Sequence, residues 1–225
     1  MAQVSIQVIS KQRVSDHGEV LTAEREVNAM LNLVNHETER ADSRFLEPAC
    51  GTGNFLVPIF ERKLAVIKSR YAKSQLEFER YAVIATGSIY GIDILEDNVQ
   101  KCRERLFNVF DAVYSALYKQ GSKDSCKESV RFILERNILL GDALTLKTAR
   151  KEPEPIVFSE WVLVKGSMIK RRDYTFAELL HDHTKIPTLF SQVIVSDLGE
   201  PQFHPNPIKE YQLCHILELA HENTN

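Results

Sequence analysis

The chain has 225 residues, 44% of them hydrophobic, and its 28 basic and 31 acidic side chains leave a formal net charge of -3. That length and apolar content support one α/β core with an appendage, and the charge balance excludes a polybasic protein drawn to nucleic acid by its global field. Cys50, Cys102, Cys126 and Cys214 lie far apart and form no C-x-x-C pair, which argues against a metal site or a disulfide framework and fits a reducing cytoplasm. Met1 to Arg13 lacks the apolar core of a signal peptide and no later run is long enough to cross a membrane, so a soluble cytoplasmic protein is expected.

In chain order, Ser15 to Thr22 reads as a polar turn, and Val27, Met30, Leu31 and Val34 recur at helical spacing, predicting an amphipathic helix over about 23–36. Phe45-Leu46 closes a first strand that ends in Glu47. A helix follows Asn54, with Leu56, Ile59, Phe60, Leu64 and Ile67 on one face, and a second helical piece carries Tyr71, Leu76, Phe78 and Tyr81. Ile89 to Ile94 is a second strand containing Asp93, and from Glu96 a helix runs through Val99, Cys102, Leu106, Phe110, Val113 and Leu117 to about Gly121. A polar connection over Ser122 to Glu128 and a short helix over Val130 to Leu134 precede a third strand, Asn137 to Asp142. Strands alternating with helices predict a parallel sheet whose ligand edge is lined by the acids at the strand C-termini. Pro155 to Trp161 reads as a fourth strand, Val162 to Ile169 as a hairpin turning at Lys165-Gly166, Thr175 to Leu180 as one or two helical turns, and the Pro-broken remainder as an irregular tail with short strands.

The densest information lies in Glu47-Pro48-Ala49-Cys50-Gly51-Thr52-Gly53-Asn54-Phe55. A strand, a glycine turn and a helix in that order form a nucleotide-cofactor cradle, where Gly51 and Gly53 let the backbone pass close to a ligand. Glu47 has the wrong charge for a diphosphate and suits an ammonium or sulfonium centre, such as that of S-adenosylmethionine (SAM). Asp93, at the end of the second strand, is the carboxylate expected to accept from both hydroxyls of a ribose, its two oxygens matching a vicinal diol. It follows Gly53 at more than the roughly 20 residues of a minimal βαβ unit, an excess explained by the helical insert after Phe55. Ile94 is placed to lie against an adenine ring.

At these residues the chain resembles the SAM-dependent N6-adenine DNA methyltransferases of restriction-modification systems, whose first motif reads much like Glu47 to Phe55. The resemblance covers about 14–161 and implies a class I methyltransferase fold: an α/β, Rossmann-like, doubly wound sheet with helices on both faces. It divides the chain into an N-terminal segment 1–13, a SAM-binding domain 14–161 and a C-terminal hairpin and irregular appendage 162–225. It implies that Asp142, followed by Ala143, accepts from the adenine amino group of the cofactor. It also implies that Thr22, in His17-Gly18-Glu19-Val20-Leu21-Thr22-Ala23, meets the methionine end, although the family usually has Pro where this chain has Ala23.

One motif departs from the family. The Asn/Asp-Pro-Pro-Tyr/Phe that follows the fourth strand in these enzymes is replaced by Phe158-Ser159-Glu160-Trp161. On the resemblance, Ser159 or Glu160 is the candidate acceptor for the target amine, and Trp161 the candidate surface for a flipped-out base. Pro205-Asn206-Pro207-Ile208 is a chance match lacking the aromatic residue. Lys165, Lys170, Arg171 and Arg172 beside Trp161, Tyr174 and Phe176 suit a nucleic-acid surface or, equally, a solvated hairpin face. The expected activity is methyl transfer from SAM to DNA adenine. The alternatives are a catalytically silent SAM-binding subunit that works with a partner chain for specificity or catalysis, and a methyltransferase for a non-DNA substrate.

Overall fold

Three short apolar runs set the centre of the molecule, which is described by a computed structural model at residues 22–180, 194–195, 201–202 and 205–224. Strands β1 (Phe45–Glu47), β2 (Ile89–Asp93) and β3 (Ile138–Asp142) lie side by side and parallel, and β4 (Lys147–Thr148) adds antiparallel to β3. The register sets Glu47 opposite Gly91 and Asp93 opposite Leu140, so Glu47, Asp93 and Asp142 emerge at one edge of the sheet. Parallel neighbours need long crossovers, and here each crossover holds two helices. α3 (Leu56–Tyr71) and α4 (Gln75–Gly87) join β1 to β2; α5 (Glu96–Tyr118) and α6 (Asp124–Asn137) join β2 to β3. Helices α1 (Glu24–Leu33) and α2 (Asn35–Thr38) precede β1.

The helices form where an apolar stripe meets the sheet. α3 buries Leu56, Ile59, Phe60, Leu64 and Ile67, and α5 buries Val99, Cys102, Leu106, Phe110 and Tyr114, each at steps of three and four residues. Phe60, Phe78, Phe110 and Tyr114 are fully buried, each contributing about 1.5–3 kcal/mol by leaving water. Ser74 caps α4 by accepting the Glu77 amide. α6 starts six residues earlier than its apolar pattern predicts, because Cys126 and Ser129 turn inward while the intervening polar residues face water.

The two faces of the sheet are covered differently. Ile89 and Ile138 join one core with α1, α3, α4, α5 and α6. On the opposite face Tyr90 and Ile92 pack against Ile156, Phe158 and Phe176. The long helices, expected on both faces, are thus found on one face only. After β4 the chain returns as a hairpin, β5 (Val157–Lys165) and β6 (Met168–Thr175), with the short helix α7 (Phe176–Leu180), and these cover the second face. The protein is α/β with mixed sheets. The predicted fourth strand and hairpin arm are one continuous strand, so a boundary at 161 falls inside β5.

β7 (Ile194–Val195) pairs with β8 (Pro201–Gln202), while β9 (Lys209–Glu210) and β10 (Cys214–His215) both add to β6. A 3-10 helix spans Leu219–Thr224. The N-terminal segment 1–13 and His17 to Leu21 lie outside the described residues. Among the described residues no helix is long and apolar enough to cross a membrane.

Candidate functional site

The turn after β1 is held from three sides. Gly51 and Gly53 take φ of +51° and +89°, a left-handed backbone that L side chains rarely adopt. The Cys50 amide donates to Ile92 O at 2.8 Å and the Gly53 amide to Cys50 O at 2.8 Å, so the turn folds back on the end of β2. Arg105 reaches across from α5, its Nη1 donating to Thr52 O at 2.7 Å and to Asn54 Oδ1 at 2.9 Å. Asn54 Nδ2 donates at 3.5 Å to the carbonyl of Thr22, which brings Thr22 to the rim of the turn.

Asp93 is the hub of this arrangement. Its Oδ2 accepts the Gly51 amide at 2.8 Å, and its Oδ1 accepts the Leu95 amide at 2.9 Å and Asn98 Nδ2 at 3.2 Å. A carboxylate oxygen has two lone-pair sites, so Oδ1 is filled and Oδ2 keeps one. The expected two-oxygen grip on a ribose diol is therefore not available in this geometry: Asp93 can offer one acceptor while its other contacts hold the turn.

Glu47 is half-buried and accepts the Ala49 amide at 3.3 Å. Burial raises its pKa, with the Ala49 amide opposing. A carboxylate in that position gains from a cationic neighbour. Asp142, by contrast, has its pKa lowered chiefly by the Leu144 amide, which donates to its Oδ1 at 2.9 Å. Pro48 and Ala49 are exposed, Cys50 and Gly53 are buried, and Phe55 and Ala143 are half-buried. Ile94 is 46% exposed directly beside Asp93, a large apolar side chain left open at the strand ends. The neighbouring Cys102 thiol and burial raise the pKa of the Cys50 thiol, which donates to Gly51 O at 3.7 Å, and keep it protonated. Among the described residues no group of three or more His, Cys, Asp or Glu is placed to hold a metal ion.

The three candidate catalytic residues on β5 do not converge. Ser159 Oγ donates to Asp173 Oδ1 at 2.7 Å and accepts from Arg171 Nε at 3.1 Å, inside a buried network. Trp161 is 6% exposed, packs against Gly87 and Phe132, and donates its indole N–H to Asn137 Oδ1 at 3.1 Å. A ring enclosed in this way has no face open for a base, so the stacking role expected of Trp161 does not fit its position. Glu160 points the other way, pairing with Arg44 at 2.5 Å and Arg172 at 3.5 Å and accepting from the Tyr174 hydroxyl at 3.3 Å.

The basic cluster on the hairpin is also largely neutralised. Arg171 pairs with Asp173 at 2.8 Å, and Lys170 and Arg172 pair with Glu210 at 3.3 and 3.1 Å. Asn206, in the second proline-flanked string, lies by α7, with its amide donating to Glu178 Oε1 at 3.1 Å. Two supporting residues, Arg105 and Asn98, escaped the sequence reading. They sit seven residues apart on α5, two helical turns, and that polar repeat beside the apolar stripe is the signal that marks them.

No family model matches the chain, and no curated protein or solved structure matches it either.

Proposed function

We propose that the chain binds SAM at the strand ends and belongs functionally with the N6-adenine DNA methyltransferases it resembles in sequence. The observation that carries this reading is the turn from Glu47 to Phe55: two left-handed glycines, the first held by Asp93, with a half-buried acid at its start and the open Ile94 beside it. Glu47 would face the methionine ammonium or the sulfonium, Asp93 one ribose hydroxyl, Ile94 the adenine ring and Asp142 its amino group. Methyl transfer would be a direct in-line attack of the adenine amine on the sulfonium methyl, to which the protein contributes proximity and orientation.

A second reading, a SAM-binding subunit that leaves the chemistry to a partner chain, is favoured by a different observation. Ser159 and Trp161 are committed to packing, which leaves Glu160 alone of the three with a polar group toward the cleft beside β1. Calorimetry with SAM tests what the two readings share, and failure of the folded protein to bind SAM at millimolar concentration overturns both. A methylation assay on unmethylated DNA then separates them: the enzyme reading expects product from this chain alone, and the subunit reading expects none until a partner is added.

A further inference from the structure

A cleft of about 670 Å³ lies at the other end of the strands from the acids, between the loop before β1, the C-terminal half of α3, α4 and β5. Its volume falls within the roughly 300–1,000 Å³ of small-molecule sites. Arg40, Arg44 and Arg70 line it together with two acids, Glu39 and Asp42. Arg40 and Arg44 are engaged by Asp42 at 3.3 Å and by Glu160 at 2.5 Å. Arg70 has no carboxylate partner among the described residues.

The aromatic lining adds a second, independent feature. Tyr71 and Tyr81, which both line the cleft, stack with ring centroids 4.2 Å apart and planes 7° from parallel. Trp161 closes the floor beside Gly87.

We propose that this cleft binds a nucleoside phosphate, with the phosphate on Arg70 and the base on an outer face of the stacked Tyr71/Tyr81 pair. A guanidinium without a carboxylate partner is free to take a phosphate in a forked pair of charge-assisted hydrogen bonds. The outer face of a stacked aromatic pair can take any base, because each has a π face. The two features lie in one cleft, as a ligand carrying both groups requires.

Trp161 is the sole tryptophan and lines the cleft, so its fluorescence reports binding there. Calorimetry measures affinity for AMP, and tryptophan emission locates it. The proposal expects saturable AMP binding that alters Trp161 emission, with adenosine and inorganic phosphate each about tenfold weaker or more. Arg70→Ala should lower AMP affinity about tenfold while Arg70→Lys retains part of it. Arg70 is exposed, so both variants are expected to fold, and circular dichroism checks this. Asp93→Ala, which alters the opposite end of the strands, should leave AMP binding unchanged, and SAM should not displace AMP. Absence of AMP binding at millimolar concentration overturns the proposal. So does equal affinity for phosphate and AMP, displacement of AMP by SAM, or indifference to Arg70→Ala. Absence of AMP binding, equal affinity for phosphate and AMP, or indifference to Arg70→Ala leaves the SAM reading untouched, whereas displacement by SAM would place both ligands in one site.

Discussion

Asp93 accepts the Gly51 amide at 2.8 Å across 42 residues of sequence, joining the end of the second strand to the turn after the first. Two further donors, the Leu95 amide and Asn98, hold the same carboxylate. Asp93 is thus part of the architecture before any ligand arrives. Asp93→Ala is expected to lower stability by about 2 kcal/mol, the scale for stranding donors of charge-assisted bonds. It is also expected to weaken SAM by about 1.5–3 kcal/mol. Urea unfolding and calorimetry measure the two separately. Unchanged stability would show that the three donors find other partners.

Gly53 combines a left-handed backbone with close packing. At φ +89°, a Cβ would lie 2.9 Å from Cys102 Sγ. Gly53→Ala should cost about 1–3 kcal/mol from strain and contact together. Repeating the substitution in a Cys102→Ala background removes the contact and keeps the strain, so the cost should shrink without vanishing. A double-mutant cycle from denaturant midpoints reads that coupling.

Lys63 is fully buried, and its Nζ donates to Arg40 O at 2.7 Å, Ser43 O at 2.6 Å and Ala41 O at 3.4 Å. The ammonium ties down the loop that enters β1. Lys63→Met keeps the stem's volume and strands those carbonyls, so a loss of about 2–4 kcal/mol is expected.

Burial lowers the Lys63 pKa from 10.5 to about 8. Between those values the unfolded chain holds the proton and the folded one does not, so this residue's contribution to stability rises with pH across that window and is lost as pH falls through about 8. The difference in unfolding free energy between wild type and Lys63→Met, followed from pH 7 to pH 10, should therefore grow. A flat difference would mean that the carbonyls hold the lysine charged throughout.

Trp161 bridges β5 to the helix layer through its hydrogen bond to the buried Asn137. Trp161→Ala should cost about 3–5 kcal/mol through the cavity it leaves. Trp161→Phe should cost about 1–3 kcal/mol by leaving Asn137 Oδ1 without its donor. SAM affinity should be unaltered in whichever of the two remains folded. If Trp161→Phe abolished methyl transfer while leaving the unfolding midpoint in place, the residue would act at the acceptor after all.

The helices over α3 and α5 and the three strand ends were legible because each carries its own periodicity: apolar residues at helical steps, or a short apolar run closed by an acid. The start of α6 was not, since its polar first turn resembles a loop until Cys126 is seen to point inward. Asn98 and Arg105 were passed over because their partners lie on the turn after β1, far away in sequence. Asp93 was found for its position, but its engagement by three donors depends on where Gly51, Leu95 and Asn98 come to rest.

The residue pattern alone determined an α/β chain, its first three strands and the glycine turn with its acid, because those features are local: periodicity, chirality and turn chemistry act within a few residues. Tertiary structure decided what covers the second face of the sheet and where the β5 side chains point. A strand reading as alternately apolar and polar can bury either side, and only its docking on α4 and α6 turned Trp161 inward and Glu160 toward Arg44.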